Sequence, residues 1–261
     1  MTSTQVIREE SGIVRVKLNQ PEIHNAFDDA LILELTKIFK DIDADASARV
    51  MILEAEGKSF SAGANLNWMR RMANYSRDEN YEDSMALAEL MQSLYSLKIP
   101  TIANVQGSAF GGGVGLIACC DIAIASERAK FCLSEVKLGL IPAVISPYVI
   151  EAMGSRAASR YFVTAELFDA VRAAELGLVS EVCSSEELNE RVNTVANTIL
   201  SNGPEAVVAA KALVRDVSGQ NIDRDLMALT SARIADIRAS EQGKEGVTAF
   251  LEKRPAKWLE E

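Results

Sequence analysis

The sequence predicts an α/β protein with a parallel or mixed sheet core and a C-terminal helical subdomain, and three observations carry that prediction. Strand-like and helix-like segments alternate to about residue 182. Two strands run through small-residue turns, SAGA at 61–64 and GSAFGGGVG at 107–115, into helix-like segments. Beyond them, residues 185–200, 204–218 and 222–240 all carry helical periodicity with no strand between. A chain of 261 residues suits one large domain with a small appendage.

Val14, Val16 and Leu18 alternate with Arg15 and Lys17, the period of a half-buried strand, and the proline and polar residues of QPEIHNAF end it in a loop. From Asp29 the residues Leu31, Leu35, Ile38, Phe39 and Ile42 recur at helical spacing, with Asp28 or Asp29 placed to cap the start. VMILEAEG is a short apolar strand closing on Gly57, and KSFSAGANLNWMRRM leaves it through the first glycine turn. Met85, Leu87, Leu90, Met91 and Leu94 form a helical stripe over residues 80–98, and Pro100 opens the strand TIANV. The second glycine turn follows, then strand-like DIAIAS and a stretch, KFCLSEVKLGLIPAVISPYVI, that Pro142 and Pro147 make partly loop. AFLEKRPAKW reads as a short tail.

Composition removes several function classes. A formal net charge of -10 and a pI near 4.8 argue against a general nucleic-acid binder, since phosphate recognition needs a surplus of cations on some face. No apolar run approaches the roughly 20 residues of a membrane-spanning helix. The opening MTSTQVIREE lacks a basic and apolar leader, which points to a cytoplasmic protein. Cys119, Cys120, Cys132 and Cys183 show neither metal nor disulfide spacing and read as buried, reduced thiols. With a single histidine, His24, a histidine-rich metal site is excluded, and His24 has no evident nucleophile partner in the sequence.

A strand that runs through glycines into a helix leaves backbone N–H groups free at the helix N-terminus, where they attract negative charge. GSAFGGGVG lacks the Gly-Lys-Ser/Thr ending of a nucleoside triphosphate loop and the spacing of a dinucleotide fingerprint. Close packing of helix on sheet is the plain alternative. Because SAGA repeats the arrangement, two N–H donors converging on one oxygen would form an oxyanion hole of the kind that stabilises a thioester enolate.

QPEIHNAF, FSAGANL, GSAFGGGVGLIACCDIAIAS, SEVKLGLIP, AAELGLVSEV and AFLEKRPAKW together resemble the enoyl-CoA hydratase/isomerase (crotonase) superfamily along essentially the whole chain. The resemblance implies a crotonase-like spiral of ββα units over residues 1–200 and a helical trimerisation region over 201–261. It further implies homotrimers or dimers of trimers, a coenzyme A thioester as substrate, and no cofactor or metal beyond it. Carried over by position, the oxyanion donors are the amides of Ala62 and Gly112, and the two catalytic glutamates fall on Gly115 and Glu135, of which only Glu135 is an acid. Ala64, Gly111 and Pro142 join the expected substrate contacts. His24 and Ala26 lie in a loop resembling the coenzyme A contact region, and Phe250 and Lys253, with Arg254 and Lys257, are expected to meet the adenine and phosphates.

NLNWMRRM, ACCDIAIAS and LGLIPAVISPYVI resemble more closely the methylglutaconyl-CoA hydratases of leucine catabolism and their relatives acting on γ-carboxygeranoyl-CoA. Both substrates carry a second carboxylate. The expectation is that Gly115 leaves space for that carboxylate or its water, that Glu135 is the principal acid/base, and that Arg70 or Arg71 faces the distal charge. A lone glutamate also suits a Δ3-Δ2-enoyl-CoA isomerase, and a non-catalytic acyl-CoA-binding protein is the reading from another class. Asn65 stands where the family usually has Asp and is expected to cap its helix all the same.

Overall fold

The structure, a computed structural model, describes residues 3–259; the first two residues of the opening segment and the last two of the tail lie outside it. β1 (Thr4–Arg8) and β2 (Ile13–Leu18) pair antiparallel. β1 escapes a sequence reading because it is an edge strand with four of its five residues exposed, and so has no apolar period. α1 (Asp29–Asp43) follows the QPEIHNAF loop, and Asp28 is its cap, accepting from the Leu31 N–H at 2.9 Å.

Three successive units then each lay one strand in a large sheet and a short one in a second sheet before turning into helix. They are β3 (Val50–Ala55), β4 (Ser59–Ser61), α2 (Leu66–Met72) and α3 (Arg77–Tyr95); β5 (Thr101–Val105), β6 (Ser108–Phe110) and α4 (Gly112–Cys119); and β7 (Ile122–Ser126), β8 (Lys130–Cys132), a 3-10 turn at Glu135–Leu138 and α5 (Ser146–Thr164). β9 (Phe168–Asp169), α6 (Ala170–Glu175), β10 (Glu181–Cys183) and α7 (Leu188–Leu200) complete the core. The large sheet has the order β1-β2-β3-β5-β7-β10, parallel except at its first pair, and the small sheet runs β4-β6-β8-β9. This is the expected spiral of ββα units.

Both faces of the large sheet are covered, which explains why VMIL in β3 is apolar without alternation. Met51 and Leu53 pack toward α1, α3 and α4, while Val50 and Ile52 join Ile102, Ile124 and the Leu188 and Val192 side chains of α7. Among the thiols, Cys119 and Cys132 are buried and Cys120 and Cys183 partly so; none is paired, and burial raises all four pKa values, that of Cys120 to about 12.

α8 (Pro204–Val217), α9 (Arg224–Ala239) and α10 (Glu241–Glu252) form the C-terminal helices, which bury almost none of their own residues. α8 is tied to the core by Lys211, whose Nζ donates to Asp121 Oδ2 at 2.6 Å and to the Ile99 carbonyl at 2.7 Å. The expected tail is half helix: AFLE forms the end of α10. Gly243 and Gly246 weaken the helical signal there, and Gly246 is small because the Trp258 ring lies where its Cβ would stand, 2.9 Å away.

Candidate active site

Parallel pairing of β4 with β6 places the two glycine turns side by side at the same end of the small sheet. A Cβ on Gly63 would lie 3.1 Å from the Phe110 carbonyl, and one on Gly113 would lie 2.8 Å from the Ser61 Cβ, so the two turns pack against each other through backbone. Gly111 begins the second turn at φ 50° and ψ -117°, a conformation open to glycine, and a Cβ there would meet Glu135 Oε1 at 3.0 Å. Glu135 therefore stands against the second turn, which itself packs on the first.

The first turn corrects the expected donor. The Ala62 N–H donates to the His24 carbonyl at 2.9 Å and is not free to bind a ligand. On either side of Ala64, the Phe27 N–H donates to the Gly63 carbonyl and the Asn65 N–H donates to the Phe27 carbonyl, each at 2.7 Å. That leaves the Ala64 N–H without an acceptor among the described residues. In the second turn the Gly112 N–H, at the first position of α4, is likewise unengaged among the described residues. The sequence offered no way to choose between Ala62 and Ala64, because the choice depends on which amide the QPEIHNAF loop consumes.

Glu135 opens the 3-10 turn after β8, half-buried. Its Oε2 is buried with no hydrogen-bond partner, and no cation among the described residues pairs with it. Burial raises its pKa above the usual glutamate value, opposed only by a bond to its own backbone N–H. Such a carboxylate is a stronger proton acceptor than one in water. Leu138, Leu140 and Ile141 follow it as an exposed apolar rim, and Pro142 behind them is buried.

Gly115 does not open a space, contrary to expectation. A Cβ there would lie 2.3 Å from Ile145 Cγ2, 2.9 Å from Ile145 Cβ and 3.2 Å from Met91 Cε. Ile145 is 2% exposed and Met91 fully buried, so the volume beside Gly115 is occupied by hydrocarbon rather than by ligand or water. Neither residue stood out in the sequence, since each reads as ordinary core.

The remaining expected residues scatter more widely. Asn65 caps α2, accepting from the Asn67 N–H at 2.8 Å and the Trp68 N–H at 3.4 Å. Arg71 is held in an exposed ion pair with Asp29, while the Arg70 guanidinium bonds only the neutral Asn67, at 2.6 Å, among the described residues. Ala26 is buried, and His24 sits at φ 55° with Nδ1 3.1 Å from Ser59 Oγ. The fold thus gives His24 a serine that the sequence did not reveal, but among the described residues no carboxylate bonds the ring to complete a triad. Phe250 is 81% exposed on α10, Lys253 is that helix's left-handed cap, and α10 packs on α8 and α9. Arg254 is consumed by Glu245 and Glu252, at 2.6 and 2.8 Å, and it holds the Glu245 carboxyl down at about 2. Among the described residues, no hydrogen bond or ion pair joins these C-terminal residues to Glu135.

Among the described residues, no group of three His, Cys, Asp or Glu side chains is arranged to hold a metal ion, and no helix is long and apolar enough to cross a membrane.

The family described as enoyl-CoA hydratase/isomerase matches residues 8–261. An enoyl-CoA hydratase from Shewanella pealeana, known by crystal structure, is 45% identical and superimposes with a TM-score of 0.94 over 98% of this chain and 96% of its own. The crotonyl-CoA hydratase of Syntrophomonas wolfei is 32% identical over 97% of each chain. The short-chain-enoyl-CoA hydratase of Clostridium acetobutylicum is 32% identical over 95% of each. With its two paired glycine turns and the half-buried Glu135 beside the second of them, the chain belongs to the enoyl-CoA hydratase/isomerase family, whose relatives named here are hydro-lyases.

Proposed function

We propose that the protein hydrates a conjugated enoyl-CoA thioester with one protein carboxylate, and that its substrate is 3-methylglutaconyl-CoA, giving 3-hydroxy-3-methylglutaryl-CoA. The amides of Ala64 and Gly112 accept the thioester oxygen and hold the negative charge that develops on it. Glu135 removes a proton from water as the water oxygen bonds to Cβ, and the same carboxylic acid then returns a proton to Cα as the enolate collapses. Water's oxygen and two protons are all accounted for, and Glu135 ends ionised. Coenzyme A arrives with the substrate, and no other cofactor enters these steps.

The observation that carries this reading is the buried Glu135 oxygen, without a hydrogen-bond partner among the described residues, standing against the second of two packed turns that each present an unengaged amide. The choice of a carboxylated acyl group rests on charge. With Gly115 in place of an acid, the site contributes one negative charge rather than two, which lowers the repulsion a dianionic acyl chain meets in a poorly solvated cleft. Arg70, whose guanidinium has only a neutral partner among the described residues, is the cation proposed for the distal carboxylate. γ-Carboxygeranoyl-CoA satisfies the same charge argument with a longer chain. The exposed apolar residues Val214, Met227, Val247 and Leu251 on the C-terminal helices support assembly as a homotrimer or dimer of trimers.

The test is turnover of the purified protein and its Glu135→Gln variant on 3-methylglutaconyl-CoA, crotonyl-CoA and a 3-enoyl-CoA, read by the conjugated-thioester absorbance. Loss of that absorbance, fastest with the carboxylated substrate and abolished in the variant, supports the proposal. A lone base also suffices to move a double bond, so a gain of absorbance from the 3-enoyl thioester without hydration would replace the hydratase by an isomerase. Binding without turnover of any of the three would leave an acyl-CoA-binding protein.

A further inference from the structure

Between the first strand pair and α1, residues 24–27 run along the back of the 61–65 turn and fix it at four points. The His24 carbonyl accepts from the Ala62 N–H at 2.9 Å, the Asn25 carbonyl accepts from Ser61 Oγ at 2.9 Å, and Phe27 exchanges two bonds with Gly63 and Asn65. The Phe27 ring reaches the second turn as well, since a Cβ on Gly112 would lie 3.2 Å from its Cε2. One four-residue segment thus supports both of the unengaged amides.

What holds the segment itself is Asn25, which is completely buried in the left-handed region at φ 52°. All its polar groups are used. Nδ2 donates to the Glu56 and Ser59 carbonyls at 2.9 and 3.0 Å, Oδ1 accepts from the Gln20 N–H at 2.9 Å, and its own N–H donates to the Gln20 carbonyl at 2.9 Å. Asparagine combines tolerance of left-handed backbone with one acceptor and two donors on a short side chain. Aspartate would fit the same volume but has no hydrogen to give the two carbonyls.

We propose that Asn25 is a positioning residue for the oxyanion hole: by locking residues 24–27 it sets where the Ala64 and Gly112 amides point, without touching substrate. The inference rests on the thioester reading of the site. Because a displaced donor matters most for the charged transition state, removing Asn25's side chain lowers kcat and kcat/KM together and leaves KM nearly unchanged. A misplacement on the order of 1 Å corresponds to a loss of about 100-fold.

The variant of choice is Asn25→Gly, which keeps the left-handed backbone and deletes only the side-chain bonds. Ser61→Ala is the milder companion, cutting the bond from Ser61 Oγ to the Asn25 carbonyl together with the 3.2 Å bond that the same oxygen accepts from the Gly63 N–H, while leaving the Asn25 side-chain bonds in place. Should Asn25→Gly fail to fold, Asn25→Asp, which keeps the volume and loses the two Nδ2 donations, keeps the test decisive. Turnover is paired with the absorption shift of a bound conjugated acyl-CoA, which reports polarisation of the thioester carbonyl independently of Glu135. The expected result is a smaller shift and a kcat reduced about 100-fold in Asn25→Gly and about 10-fold in Ser61→Ala, with Glu135→Gln keeping the full shift. Folded variants that retain the wild-type shift and kcat overturn the proposal. A wild-type protein that neither shifts nor turns over any enoyl-CoA refutes the thioester reading, and the role of Asn25 falls with it.

Discussion

Adding a single methyl at residue 115 tests whether that position is sealed. In Gly115→Ala the new Cβ would stand 2.3 Å from Ile145 Cγ2. Carbon atoms pack best at about 3.5–4.0 Å, so the approach is short by roughly 1.2 Å or more. Ile145 is β-branched, with few χ1 choices, and at 2% exposure it has nowhere to swing. Overpacking of this kind costs about 2–3 kcal/mol, and at this chain length each kcal/mol lowers Tm by about 2–4 °C, so the fall should be roughly 5–10 °C. Ile145→Ala alone should cost about 2–5 kcal/mol by opening a cavity. Combined, the two changes relieve each other, though only in part, because the residue-145 Cβ stays 2.9 Å away. A coupling of about 1–2 kcal/mol in the favourable direction is expected from urea unfolding of the four proteins. Strict additivity, or a Gly115→Ala protein as stable as the parent, would show that the site holds room the packing denies. The same clash applies to Gly115→Glu, which should fail to supply a working second acid unless residue 145 is trimmed with it.

Glu135→Gln should abolish hydration yet raise stability at neutral pH. The folded-state pKa is raised by burial, so the ionised side chain opposes folding above that pKa, and the variant's advantage should shrink as pH falls and vanish below the ordinary glutamate value; thermal melts across pH check the sign. For the same reason the acid limb of kcat/KM should lie at higher pH than for an exposed glutamate. Asn65→Ala should cost about 1 kcal/mol by uncapping α2, while Asn65→Asp should be neutral or stabilising by a few tenths, measured by urea unfolding. Lys211→Met should lose about 2–3 kcal/mol, toward the low end for a buried pair because Asp121 keeps its bonds from Thr101, and hydrogen exchange should quicken in α8 first.

The sequence reveals the alternation of elements because β2, α1 and α3 carry clean apolar periods, and α7, α8 and α9 read true within a few residues, whereas α10 is hidden by Gly243 and Gly246. It hides what depends on partners distant in the chain. β1 has no apolar period because its neighbour β2 supplies what stability it has. α5 is concealed by Pro147, harmless in a first turn, and by the kink at Gly154. At the site, Glu135 and Gly112 are legible from their motifs, but the exchange of Ala62 for Ala64 as the free amide is decided by His24 some 38 residues earlier. The filling of the Gly115 position is decided by Ile145, 30 residues later. One signal was available: an asparagine inside the loop QPEIHNAF is a residue suited to left-handed backbone, and Asn25 adopts it.

The two halves of the chemistry rest on different kinds of structure. Polarising the thioester is assigned to backbone amides, whose direction is fixed by the hydrogen bonds of residues 24–27 and by close packing at Gly63, Gly111 and Gly113. Substitution there changes geometry rather than charge. Proton transfer is assigned to one side chain, and its strength depends on what surrounds it. A second carboxylate at residue 115 would raise the Glu135 pKa further by like-charge repulsion and would add a second group to hold water. With Ile145 in that place, burial raises the Glu135 pKa against the bond to its own backbone N–H, and water has one carboxylate to meet. Activity toward different enoyl thioesters should therefore follow how each acyl group completes the solvation of that carboxylate and its water. Under the proposed reading, a substrate bringing its own carboxylate would help hold the water for which Gly115 supplies no acid.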